Sequence, residues 1–299
     1  MKEIRGHIES IKSTQKVTNA MYLIASTKMR RAKEDLEKTR PFFDALTGEI
    51  ERIFQRGGEI RSPYVFCGDA DDSNQSGTYA YLVVTADRGL AGAYNQNVIQ
   101  ETLGRIKSHS DSRVFVVGDN GRQFFASHGV PMEKNFQYTA QSPTLRCARE
   151  ITAKLLDLFD RGEISKLYMV YTDFENGMEM SVHTTRLLPL ESGEFEGGAP
   201  LPHIRFEPSA EEVLAKIVPA YITGFLYSAM VHSFCAEQNA RASAMDAANR
   251  NEDDMLRELQ FEYNHERQSA ITSEITEVSA GARSRQNRMR KEAQQHAHG

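Results

Sequence analysis

The first fifty-odd residues constrain the fold most, because a mostly apolar set of residues recurs there at alternating spacings of four and three. The positions are Ile4, Ile8, Ile11, Gln15, Thr18, Tyr22, Ala25, Met29, Ala32, Leu36, Thr39, Phe43, Leu46, Ile50 and Ile53. This 3.5-residue repeat predicts a left-handed coiled coil, because it keeps one narrow stripe on a partner helix. A helix from Ile4 to Phe54 would be roughly 75 Å long at 1.5 Å per residue, so we expect it to project as a shaft.

A second long helix is predicted from Ser209 to Arg283, and it is the natural partner of the first. Ser209 is suited to the N-cap, and acidic residues follow in the first turn. Pro219 could kink this helix. Its middle is lined by small or polar residues, and apolar positions resume at Leu259, Tyr263, Ile271, Ile275 and Val278. We therefore expect the two terminal helices to pair antiparallel.

The segment between the two helices has a different pattern. Short and nearly continuous apolar runs predict buried strands at Tyr79–Thr85, Val114–Val117, Leu167–Tyr171 and Glu179–Pro189. Helix-like stretches follow the first two strands, and a third helix fits Thr144–Arg161. The fold class is therefore α/β with long helices: a terminal antiparallel coiled coil and a small Rossmann-like domain of about five strands.

Composition shifts divide the chain further. We assign 1–56 to the N-terminal coiled-coil helix, which stops at Gly57-Gly58, and 57–78 to a linker rich in Gly, Ser and Asp. The α/β domain then covers 79–190, a connecting loop 191–208, the C-terminal coiled-coil helix 209–283 and a basic tail 284–299.

Charge, cysteines and hydropathy exclude several classes of function. The net charge is −5, with basic ends of +5 over residues 1–40 and +4 over residues 282–299. The basic residues of the first helix surround its seam rather than forming a nucleic-acid-binding face, so we expect no nucleic-acid partner. The three cysteines are far apart, which disfavours a zinc site or disulfide framework. The sequence shows no signal peptide and no apolar run near 18 residues, so we expect no direct membrane insertion.

Catalytic motifs are missing as well. The chain has no GxxxxGK[ST] phosphate-binding loop and no GxSxG elbow, and Gly89-Leu90-Ala91-Gly92 lacks the GxGxxG fingerprint. We expect no catalytic residue, no metal site and no cofactor in this chain.

Three segments carry a specific resemblance. They are SIKSTQKVTNAMYLIASTKMRRAKE at 10–34, TADRGLAGAYNQNV at 85–98 and LRELQFEYNHERQSAITSEITEV at 256–278. Their sequences, order and separations resemble those of the gamma subunit of rotary F-type ATP synthases. The resemblance covers residues 1–281 and extends to KLYMVYTDF at 166–174 and RLLPL at 186–190.

The resemblance implies a rotor shaft that couples transmembrane ion flow to ATP synthesis or hydrolysis at the beta subunits. The implied partners are the alpha and beta subunits of the catalytic ring, the epsilon subunit and the membrane c-ring, at the cytoplasmic face of the cell membrane as a peripheral protein. The implied contacts with the alpha/beta ring are Met21, Asp87, Arg88, Arg267, Gln268, Thr272, Glu274 and Glu277. The implied foot contacts with the membrane ring are Ile204, Phe206 and Glu207.

Two other functions remain open at this point. A soluble α/β enzyme with a coiled-coil arm would need a catalytic constellation in 79–190, where we find none. A coiled-coil adaptor without motor function would favour a uniformly apolar seam, which Gln15, Thr18 and Asn239 interrupt.

Overall fold

The computed structural model describes residues 1–56, 60, 62–66, 77–109, 111–174, 180–191, 195 and 206–296, with only the backbone described at 56 and 287–296. The elements are α1 (Lys2–Arg56), β1 (Tyr79–Val84), α2 (Tyr94–Ser108), β2 (Ser112–Val117), α3 (Asp119–Ser127), α4 (Leu145–Asp160), β3 (Lys166–Asp173), β4 (Ser181–Leu188) and α5 (Ala210–His296). The predicted helix stop at Gly57-Gly58, most of the linker, Cys67 and most of the 191–208 loop lie outside the described residues.

Both terminal helices are longer than a typical globular helix. The α1 helix has 55 residues and passes through Pro41, and α5 has 87 residues and passes through Pro219, so neither proline ends its helix. Ser209 caps α5 as predicted, because its Oγ accepts a hydrogen bond from the Glu212 amide at 3.2 Å. The α5 helix continues past Arg283 to His296, into the segment assigned to the basic tail.

The α5 helix contains a long apolar stretch, whereas from the sequence we expected no apolar run near 18 residues. An 18-residue window in this helix has a mean hydropathy of 1.4 and at most two charged residues, which is enough to cross a membrane by length and composition alone. Half of that window is buried inside the protein. The core helix of a soluble protein passes the same test, so one such helix is weak evidence for a membrane span.

The burial of α1 follows the predicted seam with one exception. Every predicted seam residue is buried or half-buried except Tyr22, which is exposed. Met21 is half-buried instead, so the spacing at this point is three then four rather than four then three. The prediction for Tyr22 was wrong because both spacings fit a heptad repeat, so the repeat alone does not decide between the adjacent residues Met21 and Tyr22.

The chain forms two compact units, and the first contains Met1–Met21 and Met245–Gly299. The two helix segments in it are antiparallel, as predicted. The Met1 amino group lies 3.3 Å from Glu266 Oε2, and Gln15 Nε2 donates to Asp253 Oδ1 at 2.7 Å. The Thr18 hydroxyl lies 2.5 Å from Asn249 Oδ1. This seam therefore holds its register partly through polar contacts.

The second unit, Tyr22–Ala244, contains the α/β domain and the remaining parts of α1 and α5. Its sheet has the order β2-β1-β3-β4, with β1 parallel to β2 and β3, and β3 antiparallel to β4. The described residues thus form a mixed sheet of four strands, which corrects the expected number of about five. The sequence between β3 and β4 is too short for the crossover that a parallel pair needs, so these strands form a hairpin.

The central strand β1 divides the core of the second unit. All six of its residues are buried. Ala80, Leu82 and Val84 pack into a cluster with α4 and with the α1 and α5 segments of this unit, whereas Tyr79, Tyr81 and Val83 pack with α2 and α3. Alternate side chains point to opposite faces of a strand, so burial on both faces produces the continuous apolar run seen in the sequence.

Candidate partner-binding surfaces

The end of α5 is the most exposed part of the first unit. Because the Met1 amino group contacts Glu266, the residues after Glu266 continue beyond the first residue of α1. Every residue from 267 to 286 is exposed. Apolar side chains nevertheless recur at Ile271, Ile275 and Val278, which lie on one face of a helix at spacings of four and three.

This exposure corrects the predicted seam of the second long helix. Leu259 and Tyr263 are half-buried, but Ile271, Ile275 and Val278 are exposed. The periodicity is that of a helix with one apolar face, and no described residue of α1 covers the last part of that face. Exposed apolar side chains in a row are typical of a surface that another molecule covers.

All five candidate ring contacts on α5 lie in this extension. They are Arg267, Gln268, Thr272, Glu274 and Glu277, and all of them are exposed. The Thr272 hydroxyl donates to the Gln268 carbonyl oxygen at 2.8 Å, which occupies the Thr272 side chain within the helix. No carboxylate among the described residues forms an ion pair with Arg267. The Arg267 guanidinium therefore presents its five donors to solvent or to a partner.

The candidate contact Asp87 lies in the loop that joins β1 to α2, which we call the β1 loop (residues 85–93). Its carboxylate accepts hydrogen bonds from the backbone amides of Asp119 at 3.0 Å, of Ala140 at 3.1 Å and of Gln141 at 3.1 Å, and from the Thr139 hydroxyl. Asp87 thus connects the β1 loop with the start of α3 and with the segment before α4. The neighbouring candidate Arg88 is exposed.

We expect Asp87→Asn to lower the free energy of unfolding by about 1 kcal/mol, because an amide nitrogen replaces one acceptor oxygen and leaves donors unpaired. Denaturant unfolding of the isolated chain measures this change. The matched control is Asp111→Asn, in the same unit, for whose carboxylate the described residues show one hydrogen bond, from the Thr78 hydroxyl. Equal effects of the two substitutions would contradict the role of Asp87 as a multiple acceptor.

A largely buried ion pair on α5, which no motif in the sequence indicated, holds the other side of the β1 loop. Arg241 Nη1 lies 2.7 Å from Glu237 Oε1, and the side chains are 11% and 6% exposed. Arg241 Nη2 donates to the carbonyl oxygens of Arg88 at 3.3 Å and Gly89 at 3.1 Å. Burial raises the pKa of Glu237, and the Arg241 charge partly offsets this effect.

The sequence carried only a weak signal for this pair. Glu and Arg four residues apart stabilise any helix, and the exposed pair Asp246 and Arg250 has the same spacing on the same helix. Nothing in that spacing indicates which pair is buried against a loop about 150 residues away.

The remaining candidates are distributed over other parts of the fold. Met21 is half-buried. Phe206 is half-buried and packs against the main core cluster, and Glu207 is exposed. Ile204 lies outside the described residues. The described candidates therefore fall in both units: Met21 and the five α5 candidates belong to the first, and Asp87, Arg88, Phe206 and Glu207 belong to the second.

The second unit also contains an open groove of about 520 Å³, between its α1 and α5 segments. Its lining includes Lys33, Glu37, Arg40, Asp44 and His232. Lys33 and Arg40 are balanced by Glu37 and Asp44 in this lining. Among the described residues, no group of three or more His, Cys, Asp or Glu side chains is placed to hold a metal ion.

The sequence of this chain is similar to those of known proteins over nearly its whole length. The family model described as ATP synthase matches residues 1–284. The ATP synthase gamma chain of Acetivibrio thermocellus is 37% identical over 289 residues, covering 94% of this chain and 97% of its own length. That of Caldanaerobacter subterraneus is 37% identical over 293 residues, covering 94% and 98%.

Solved structures show the same fold at much lower identity. A chain of the Euglena gracilis mitochondrial ATP synthase, from the OSCP/F1/c-ring structure in rotational state 3, has a TM-score of 0.66 at 14% identity, covering 95% of this chain and 93% of that chain. A chain of the rotor structure of the same enzyme in rotational state 1 has a TM-score of 0.60 at 13% identity, covering 90% and 98%.

Proposed function

This chain belongs to the ATP synthase gamma-chain family, and from that premise we propose that it is the central shaft of a rotary F-type ATP synthase. In this role the chain turns inside a ring of alternating alpha and beta subunits. Its rotation couples transmembrane ion flow to the synthesis or hydrolysis of ATP at the beta subunits. The shaft itself supplies no active site, cofactor or metal, and it acts by favouring a different conformation of each catalytic site at each orientation.

One observation supports this proposal most directly. The α5 helix continues beyond the start of α1 with the apolar face Ile271, Ile275 and Val278 exposed to solvent. An isolated helical segment in water is marginally stable and gains most of its stability from packing. A partner that covers this face would stabilise the extension. A ring of subunits around the helix would cover it.

We propose that the exposed side chains on the extension contact the ring. Arg267 and Gln268 act as a polar catch toward a beta subunit, because a guanidinium can form charge-assisted, bidentate hydrogen bonds with a carboxylate. Thr272, Glu274 and Glu277 lie on the same extension and form further contacts. Met21 on α1 is a further contact with the ring through its exposed part.

The second unit supplies the remaining partner contacts in this proposal. Asp87 and Arg88 face the lower rim of the ring, and Ile204, Phe206 and Glu207 belong to the foot that meets the membrane c-ring and the epsilon subunit. The protein would then be peripheral, at the cytoplasmic face of the cell membrane. The assembly, rather than this chain alone, would contact the bilayer.

The variant Arg267→Ala/Gln268→Ala tests the proposal. We expect it to fold and assemble with alpha and beta subunits, because exposed helix positions usually shift stability by under about 0.5 kcal/mol. We expect ATP-driven ion pumping to fall about tenfold or more, because a charge-assisted contact of roughly 1.5–3 kcal/mol is lost. Pumping by complexes reconstituted in vesicles measures this effect.

The matched control is Arg257→Ala/Gln260→Ala on the same helix. Arg257 is already paired with Asp254 at 2.9 Å, so its removal takes away a contact within the helix. We expect pumping by this control to stay close to that of the parent complex. Equal pumping by the two double variants would contradict the proposed contact of Arg267 and Gln268 with a beta subunit. Failure of the parent chain to assemble with alpha and beta subunits would contradict the proposed shaft function.

A further inference from the structure

The tip of the β1 loop is an exposed element with a defined conformation. Arg88, Gly89 and Leu90 are all exposed, and Leu90 is 64% exposed although it is apolar. Leu90 also has a φ of 61°, in the left-handed region that residues other than glycine seldom adopt. Surrounding contacts must hold this conformation in place, because a free loop would relax from it.

Hydrogen bonds of Thr85 and Ala86 fix the start of the loop, and two side chains hold the residues next to its tip, one on each side. Asp87 ties it to α3 and to the 139–141 segment through its carboxylate. Arg241 ties it to α5, because one nitrogen of its guanidinium donates to the two consecutive carbonyl oxygens of Arg88 and Gly89. The second terminal nitrogen is held by Glu237, one helical turn earlier.

The Glu237 carboxylate fixes the direction of the Arg241 guanidinium. The Glu237 side chain is buried and the Arg241 side chain is 11% exposed, so the ion pair between them is largely shielded from water, whereas the two bonds from Arg241 to the loop carbonyls lie at the surface. A guanidinium is planar and its donors form a rigid fork, so one nitrogen bound to Glu237 determines where the other points. A lysine ammonium in this position is a single point of charge and cannot bind the carboxylate and both carbonyls with the same geometry.

We propose that Arg241 is a positioning residue that locks the tip of the β1 loop to α5, so that the loop and the helix move as one body. This inference rests on the proposed shaft function, in which the tip meets the catalytic ring. A loop that transmits force between two subunits must keep its conformation when the partner subunit exerts force on it. The lock by Arg241 supplies that stiffness at the two residues that precede Leu90.

The same contacts also fit a simpler role, in which the ion pair only stabilises the fold. The two roles predict different results. A purely stabilising pair affects the whole unit when it is weakened, whereas a positioning residue affects the loop tip first. The bond between Arg88 and Gly89 distinguishes them, because the carbonyl group of this bond is one of the two that Arg241 binds.

The experiment measures cleavage by trypsin after Arg88, identified by the mass of the fragment that ends there. In Arg241→Lys we expect this cleavage to be at least about tenfold faster, because loss of the fork raises the population of the open loop. We expect the thermal unfolding midpoint to change little, because the substituted ammonium keeps the charge pair with Glu237. The matched control Arg250→Lys alters an exposed pair of the same spacing and should leave cleavage after Arg88 unchanged.

A second variant separates the effect of the Glu237 charge from that of the hydrogen-bond geometry of the Arg241 guanidinium. Glu237→Gln removes the buried carboxylate but keeps an oxygen that can accept from Arg241 Nη1. We expect cleavage after Arg88 in this variant to stay within about threefold of the parent rate, since the two bonds to the loop remain. If Arg241→Lys cleaves at the parent rate, or if its faster cleavage only follows a lowered unfolding midpoint, the positioning role is wrong.

The functional arm uses the assembled complex. Arg241→Lys should assemble in normal amounts but pump ions more slowly than the Arg250→Lys control. Normal pumping despite faster cleavage would show that the stiffness of the loop does not matter for rotation and would overturn the proposal. If instead the parent chain neither assembles nor pumps, the shaft function has failed, and the cleavage assay on the isolated chain still decides whether Arg241 locks the loop.

Discussion

Phe115→Ala is expected to lower the free energy of unfolding by about 3–5 kcal/mol, which is the usual cost of removing a buried phenylalanine ring. Phe115 lies on β2, is 1% exposed and belongs to the larger core cluster. Its ring meets the ring of Phe136 edge to face, with centroids 5.3 Å apart. The substitution removes this contact and leaves a cavity that the rigid sheet cannot close. Urea unfolding of the isolated chain, followed by circular dichroism, measures the change.

The control for this prediction is Phe261→Ala. Phe261 lies on α5 and is 76% exposed, so its ring has little packing to lose. We expect its removal to change the free energy of unfolding by under about 0.5 kcal/mol. A cost for Phe115→Ala as small as that for Phe261→Ala would mean that β2 is not in the core.

Gly224→Ala is expected to destabilise the packing of α5 against α1 within the second unit. A Cβ atom at this position would lie 2.6 Å from Cγ of the Phe43 ring and still closer to Cδ1 and Cε1, well inside the van der Waals contact distance. One of the two helices, or the ring, must shift to make room. Overpacking of this kind costs about 1–3 kcal/mol, and it outweighs the gain of about 1 kcal/mol in helix propensity when glycine becomes alanine. The thermal unfolding midpoint measures the net effect.

Two further variants separate the close contact from helix propensity. Gly48 lies within α1, and a Cβ atom there would meet nothing within 4 Å, so Gly48→Ala should stabilise the protein. The double variant Gly224→Ala/Phe43→Leu replaces the ring with a smaller side chain and should recover part of the lost stability. If Gly224→Ala raised the unfolding midpoint as Gly48→Ala does, the close approach of Gly224 and Phe43 would be wrong.

Much of the architecture could be predicted because it depends on local patterns. The seam of α1, the N-cap at Ser209 and the positions of the four strands all follow from residues that are close in sequence. A repeat of 3.5 or 2 residues shows which side of an element faces inward. The antiparallel pairing of the long helices also followed, because pairing of the two terminal helices is the simplest way to cover the stripe of the first.

The candidate contacts were predicted in a different way, from a resemblance in three motifs. That resemblance indicated Arg267, Gln268 and the β1 loop, and the structure places Arg267, Gln268 and Arg88 on the surface. It did not indicate that Asp87 is occupied by four hydrogen bonds within the protein. A motif marks which positions matter for a family, but it does not separate a residue that contacts a partner from one that shapes the contact surface.

Local patterns in the sequence were enough to predict which faces are apolar, where the helices and strands lie and which family the motifs resemble. Only the folded structure shows which segment packs against each face. It shows that Met21 rather than Tyr22 lies in the seam and that the apolar face of α5 is exposed from Ile271 onward. It also shows that Arg241 binds the carbonyl oxygens of Arg88 and Gly89, which are 153 and 152 residues away in sequence. The physical reason is that hydrophobic periodicity encodes the direction of a side chain, whereas a contact between distant segments depends on lengths and packing that no local pattern contains.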